Sequence, residues 1–271
     1  GIVYVNTSGD YGSLYGFDDL THDYLPTLTI DQDDNVIVMF KNDSASYLYK
    51  FNKTLSLIDN TTLNVHNRYT NKIFNDYEND FIYELSTNNS ALSVNESILK
   101  LQRYTFEGTI DITEDISLVD FSDYTVEAFG MSGDGTTLLL AGHSNSVKNE
   151  GRKIYISNDS GENWFETGPG GVDDIYWQTA YVSYDGQYML IGSLESSGLY
   201  LSKDYGLTWE ETASDTFTAE KWQAIYVSDN GQLMYVIYGT DVLDGYNLTR
   251  STDGGETWEN IITNDEDIHD Y

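Results

Sequence analysis

Apolar and polar residues alternate in short runs along this chain, and turns rich in Gly, Asp and Asn separate the runs. The clearest case is Trp177-Gln178-Thr179-Ala180-Tyr181-Val182-Ser183, followed by a turn through Asp185-Gly186 and the apolar stretch Tyr188-Met189-Leu190-Ile191. Alternation with period two among β-branched and aromatic residues predicts strands, and a Gly-bearing turn between two such runs predicts a hairpin. The same spelling returns from Trp222 to Met234, an offset of 222 − 177 = 45 residues, and in looser form from Val126 to Leu138. No stretch keeps a helical period for more than two turns. The repeating unit is therefore expected to have four strands: inner near 177–183, second near 187–193, third near 198–203 and outer near 207–212. The preceding unit is expected over 125–167 and the following one over 222–262. In the first half the pattern is weaker. Thr27–Phe40 reads as a hairpin, Ser46–Ile58 as a second pair of strands, and Phe81–Leu85, Ile98–Arg103 and Tyr104–Phe106 as separate strands, giving units over 27–60 and 73–112.

An octapeptide recurs in phase with these units. It reads Ser157-Asn-Asp159-Ser-Gly161-Glu-Asn-Trp164, Ser202-Lys-Asp204-Tyr-Gly206-Leu-Thr-Trp209 and Ser251-Thr-Asp253-Gly-Gly255-Glu-Thr-Trp258, at steps of 202 − 157 = 45 and 251 − 202 = 49 residues. Periods of ~40–50 residues suit four-stranded propeller blades. In a strand-turn-strand the Asp can accept turn amides, the Gly can take a positive φ, and the Trp can wedge between sheets. A fourth copy, with Tyr for Trp, is expected at Ser8, Asp10, Gly12 and Tyr15. The chain would then open on the third strand of a blade.

The pattern S-x-D-x-G-x-x-W resembles the Asp-box, the hairpin signature of the sialidase-like propellers also called BNR repeats. The resemblance covers residues 125–262 and, more loosely, 1–17, with the span between inferred from its rhythm. It implies one all-β domain over 1–271, a β-propeller of four-stranded antiparallel blades. Six blades are expected, with seven as the alternative and one blade split between the termini, 263–271 starting its closing strand. In that family the octapeptide is a structural clasp on the face away from the active site.

Composition narrows the partners. Thirteen Lys+Arg against 45 Asp+Glu give a net charge of −32, with a pI near 4.1. A field of that sign argues against nucleic acid and against anionic membrane surfaces. Cysteine is absent, which removes disulfides and thiolate metal sites. No apolar run approaches the ~20 residues of a membrane-spanning helix, so membrane insertion is not expected. The start at Gly1 without Met is what a processed or excised piece would show. The sequon N-x-[S/T] occurs at Asn6, Asn42, Asn52, Asn60, Asn88, Asn95, Asn158 and Asn247. With the acidity, these glycosylation candidates suggest an extracellular, cell-surface or virion setting.

The candidate chemistry is sparse. The four His (22, 66, 143 and 269) show no metal-ligand spacing, and no P-loop, G-x-S-x-G or dinucleotide fingerprint occurs. No cofactor is expected; a structural calcium at the acidic turns is the one alternative left open. A sialidase of the resembled family holds its substrate carboxylate with three arginines, and Arg68, Arg103, Arg152 and Arg250 form no such triplet here. In propellers the connections entering inner strands lie on the functional face. They supply Asp173, Asp174, Tyr176 and Trp177 in one blade, Glu220 and Trp222 in the next, and Tyr124 in the one before. Stacking aromatics with acceptors suit a sugar or a basic protein loop. The expected function is therefore a non-enzymatic binding or assembly module for a glycan or protein partner, copies of itself or the rest of a longer chain. The alternatives are a neutral-polysaccharide hydrolase similar to the xyloglucanases, needing two facing carboxylates, and a filament- or lattice-forming subunit joined by terminal strand exchange.

Overall fold

In a computed structural model the chain is described over residues 2–5, 11–14, 27–31, 33–41, 46–63, 69–76, 81–87, 99–105, 110–114, 124–144, 153–169, 176–193, 198–212, 221–239 and 246–262. It divides into two compact units, residues 1–122 and 123–271. In the first unit β1 (Ile2–Val5) pairs with β2 (Tyr11–Leu14). There β3 (Thr27–Ile30), β4 (Val36–Lys41), β5 (Ser46–Phe51) and β6 (Leu57–Leu63) form a four-stranded sheet. A second comprises β7 (Tyr69–Asp76), β8 (Phe81–Thr87), β9 (Leu99–Thr105) and β10 (Ile110–Glu114).

The second unit holds three such sheets. They are β11 (Tyr124–Met131) to β14 (Phe165–Thr167) through β12 (Leu138–Ser144) and β13 (Lys153–Ser157); β15 (Trp177–Val182), β16 (Met189–Ser193), β17 (Leu199–Ser202) and β18 (Glu210–Thr212); and β19 (Lys221–Val227), β20 (Met234–Gly239), β21 (Asn247–Ser251) and β22 (Glu259–Ile262). Within each sheet every strand pairs antiparallel with its sequence neighbours, so each sheet is a simple meander.

Stacking of these sheets makes the core. All five residues of β16 are buried, because the sheet β15–β18 is covered on both faces. One face packs Met189 and Ile191 against Leu139, Ala141, Ile154 and Ile156 of β12 and β13. The other packs Leu190, Leu199 and Leu201 against Trp222, Val227, Met234 and Val236 of β19 and β20. Burying one such aliphatic side chain stabilises the fold by roughly 1.5–3 kcal/mol. In β20 burial instead alternates: Met234, Val236 and Tyr238 lie inward while Ile237 is exposed.

Each inner strand of the second unit carries a bulge at the same place, between Val126 and Ala128, Trp177 and Thr179, and Trp222 and Ala224. The residues left out of register are Glu127, Gln178 and Gln223. A bulge frees one side chain from the alternation of the strand and re-aims it. Two of them reach the next sheet: Glu127 Oε2 accepts the Trp177 N–H at 3.1 Å and Gln178 Oε1 accepts the Trp222 N–H at 2.6 Å.

Two expectations need correction. Arg103 and Tyr104 do not separate two strands; they pair in succession with Tyr83 and Ile82 inside one continuous β9. The expected fourth octapeptide fails on register. Gly12, the position that should turn, lies within β2 opposite Tyr4, and Tyr11 already pairs with Val5. The β1–β2 connection spans residues 6–10, so an eight-residue turn from Ser8 to Tyr15 has no room. Ser8, Asp10 and Tyr15 themselves lie outside the described residues, as does 263–271.

Candidate functional site

The three full octapeptides fold alike. Ser157 ends β13, and its hydroxyl donates to Asp159 Oδ1 at 2.8 Å while accepting the Gly161 N–H at 2.8 Å. Asp159 Oδ1 also accepts the Asn163 N–H, and Oδ2 accepts Asn163 Nδ2. Trp164 Nε1 closes the loop on the Gly161 carbonyl at 3.0 Å. In the other two turns Thr208 and Thr257 replace Asn163, donating through both N–H and Oγ1 to Asp204 and Asp253. Both oxygens of each carboxylate are thus committed to the turn. Among the described residues no group of three or more His, Cys, Asp or Glu is placed to hold a metal ion.

These bonds hold the carboxyls below the usual range. Donation from the Thr257 hydroxyl and N–H lowers Asp253 to about 2. The Asn163 side chain and N–H lower Asp159. At Asp204 desolvation pushes upward, but the bonds from Thr208 and Ser202 outweigh it and the carboxyl is lowered. A carboxyl depressed in the folded state contributes stability that is present above its unfolded value, about 3.9, and lost as pH falls through its folded one. Thermal melts are therefore expected to be flat from about pH 7 to 5 and to fall steeply between about pH 4 and 2. Asp253→Asn should make that acid limb shallower; an unchanged limb would remove Asp253 from its cause.

A second clasp, not anticipated from the sequence, closes the hairpin between inner and second strands. Ser132, Ser183 and Ser228 donate to Asp134, Asp185 and Asn230 at 2.6, 2.8 and 2.9 Å. Its signal is legible in hindsight as S-x-[D/N]-G at 132, 183 and 228.

The connections from outer to inner strands are anchored at both ends. At the outer end Thr167 Oγ1 donates to the Gly206 carbonyl of the next sheet at 2.6 Å and accepts Trp209 Nε1 at 3.2 Å. Thr212 repeats this with Gly255 and Trp258. At the inner end the bulge residues Glu127 and Gln178 hold the first N–H of the strand, at Trp177 and Trp222. Between Thr167 and Trp177, and between Thr212 and Trp222, lie nine residues each: Gly-Pro-Gly-Gly-Val-Asp-Asp-Ile-Tyr and Ala-Ser-Asp-Thr-Phe-Thr-Ala-Glu-Lys.

Of the expected ligand-binding residues, Asp173, Asp174 and Glu220 lie within these connections, outside the described residues, and Tyr124 is described only as the first residue of β11. Tyr176 is 38% exposed at the mouth of β15. Trp177 and Trp222 are corrected: at 4% and 1% exposure they are core residues and present no stacking face. Trp222 lies over Gly192, where an added Cβ would come within 2.7 Å of its Cγ, and its Nε1 donates to the Ser193 carbonyl at 2.7 Å. Trp177 meets the Tyr200 ring edge-on at 5.8 Å. Among the sequons, Asn52, Asn60, Asn158 and Asn247 are described, while Asn6, Asn42, Asn88 and Asn95 are not.

No protein-family model matches the chain, and no curated protein does. Solved structures do. A GH74 xyloglucanase from Xanthomonas campestris matches with a TM-score of 0.56 at 12% identity, over 92% of this chain and 40% of that one. The β-propeller domain of the Trilobed protease from Pyrococcus furiosus matches at 0.57 and 10% identity, over 90% of this chain and 69% of that one. The Dos1 propeller matches at 0.55 and 11% identity, over 92% and 61%. The chain spans 31–40% of the length of three GH74 enzymes among those it matches. At these identities the likeness speaks for fold alone. The chain is an all-β protein of four-stranded antiparallel sheets with the β-propeller fold.

Proposed function

We propose that this chain is a non-enzymatic binding module of the Asp-box type, displayed outside the cell or on a virion, which recognises a glycan or protein partner. The observation that carries this reading is the pair of nine-residue connections. They are equal in length and anchored by the same inter-sheet bonds at both ends, yet they share no sequence pattern. A rigid scaffold that presents variable loops at fixed take-off points is how recognition surfaces are commonly built. The octapeptide acids add no competing chemistry, since their oxygens are used within the turns. Asp173, Asp174, Tyr176 and Glu220 would be the contact residues.

The second reading, hydrolysis of a neutral polysaccharide, is favoured by the likeness to GH74 xyloglucanases and would draw its facing carboxylates from Asp173 or Asp174 on one connection and Glu220 on the next. One experiment separates the two. The purified chain is incubated with xyloglucan and with an array of neutral glycans, reading both retention and release of reducing ends. Retention without release is expected, and it should be lost when 213–220 is replaced by a Gly-Ser segment of equal length. Release of reducing ends that disappears in Asp173→Ala or Asp174→Ala would sink the binding-module reading.

A further inference from the structure

We propose that Asn52 is an N-glycan acceptor in the folded protein. Its sequon, Asn52-Lys53-Thr54, forms the tip of the hairpin joining β5 to β6, with Lys53, Thr54 and Ser56 exposed. The asparagine itself closes this turn. Its N–H donates to the Ser56 carbonyl at 3.0 Å, and the Leu55 N–H donates to the Asn52 carbonyl at 2.7 Å. Its side-chain Oδ1 accepts the Thr54 N–H at 3.0 Å, Thr54 Oγ1 at 2.7 Å and the Ser56 N–H at 2.9 Å. The side-chain part of the clasp runs through Oδ1. Nδ2, the atom that carries an N-linked glycan, makes no hydrogen bond among the described residues. Glycosylation replaces one Nδ2 hydrogen and leaves Oδ1 an acceptor, so the turn keeps its three side-chain bonds afterwards.

The other described sequons lack this combination. Asn60 sits within β6 opposite Tyr49, and in a strand the hydroxyl two residues on stands about 7 Å along the same face. At Asn158 the intervening Asp159 holds the octapeptide turn, and the Ser160 N–H is bonded to the Thr136 carbonyl at 2.8 Å. Asn247 is paired with Tyr238 in β21. Each of these three is engaged through a ladder or a turn at the sequon itself, whereas at Asn52 the clasp bonds use Oδ1 and the main chain and leave Nδ2 outside them.

In the transfer, Asn52 Nδ2 attacks the anomeric carbon of an oligosaccharide carried on a polyprenyl diphosphate. The new N–C bond forms as the bond from that carbon to the diphosphate oxygen breaks. The polyprenyl diphosphate leaves with the bonding electrons, and the surplus Nδ2 proton passes to a base of the transferase.

The test incubates the folded, purified chain with a single-subunit oligosaccharyltransferase and lipid-linked oligosaccharide, reading site occupancy by peptide mass spectrometry. A synthetic peptide of residues 46–63 runs alongside as a substrate independent of the fold. Asn52 is expected to reach at least about tenfold the occupancy of Asn60, Asn158 or Asn247 in the folded chain. Thr54→Ser should retain most of it and Thr54→Ala should abolish it, with circular dichroism confirming that both variants fold. Comparable occupancy at Asn60, Asn158 or Asn247 overturns the proposal. So does an unmodified Asn52 in the folded chain, whether or not the peptide is modified.

Discussion

Replacing Trp222 by alanine is expected to destabilise the second unit by about 3–5 kcal/mol, the usual cost of emptying a buried Trp site. Three features make the upper part of that range the expected one. The indole is 1% exposed, and it fills the hollow over Gly192 that no other side chain enters so closely. Its Nε1 also satisfies the Ser193 carbonyl, which the substitution would leave without that donor. Urea denaturation followed by circular dichroism measures the loss, and a cost below about 1 kcal/mol would contradict the packing described. A paired substitution isolates the hydrogen bond. Trp177 occupies the same place one sheet earlier, but its buried Nε1 meets no acceptor among the described residues. Trp222→Phe removes a made bond, whereas Trp177→Phe removes a donor that has none, so the first should cost about 1–2 kcal/mol more. Equal costs would mean that the Ser193 bond contributes nothing net.

These tryptophans also mark the limit of what the sequence discloses. The strands of the second unit were legible because the repeat writes each hairpin several times, with Gly186 and Gly231 fixing the turns. The octapeptide clasp was legible because its Ser, Asp and Gly act on one another within a few residues. Trp177 and Trp222 looked like a stacking surface because they stand beside the connections that enter inner strands. Their burial depends on an adjacent sheet: Gly192, in the sheet before, hollows a site for Trp222 thirty residues ahead of that tryptophan, counting 222 − 192 = 30. Alternation along a strand names two faces, but in a stack of sheets both faces are inside, so it cannot say which aromatic meets solvent. The bulges at Glu127 and Gln178 were equally hidden, since an unpaired residue leaves no mark in an apolar pattern. The N-terminal copy failed for the opposite reason. Ser8, Asp10 and Gly12 match by type, but Gly12 stands in the β1–β2 ladder opposite Tyr4. The candidate site was legible only as a location, with Tyr176 the one expected contact residue whose side chain is seen to be exposed.

Gly206→Ala is expected to cost about 2–5 kcal/mol, combining two penalties that a neighbouring glycine separates. Gly206 takes a φ of +80°, where a Cβ costs about 1–2 kcal/mol. That Cβ would also lie 2.6 Å from Ile156 Cγ1, in the sheet before it, and overpacking of that kind adds about 1–3 kcal/mol. The main-chain groups at this residue cannot shift freely to relieve it. The Gly206 N–H is held by Ser202 Oγ at 2.9 Å, and its carbonyl accepts both Thr167 Oγ1 and Trp209 Nε1. Gly254 supplies the control. Its φ is +75°, but an added Cβ would meet nothing closer than 3.4 Å. The corresponding residues of the other two octapeptides, Ser160 and Tyr205, already carry side chains at φ of 58° and 59°. Gly254→Ala should therefore cost the backbone penalty alone, about 1–2 kcal/mol. The difference between the two variants in one denaturation series is the energy with which the octapeptide glycine lets a turn of one sheet seat against the core of the sheet before it. If both substitutions cost the same, the glycine serves backbone conformation alone, and the close approach to Ile156 is not what holds adjacent sheets in register.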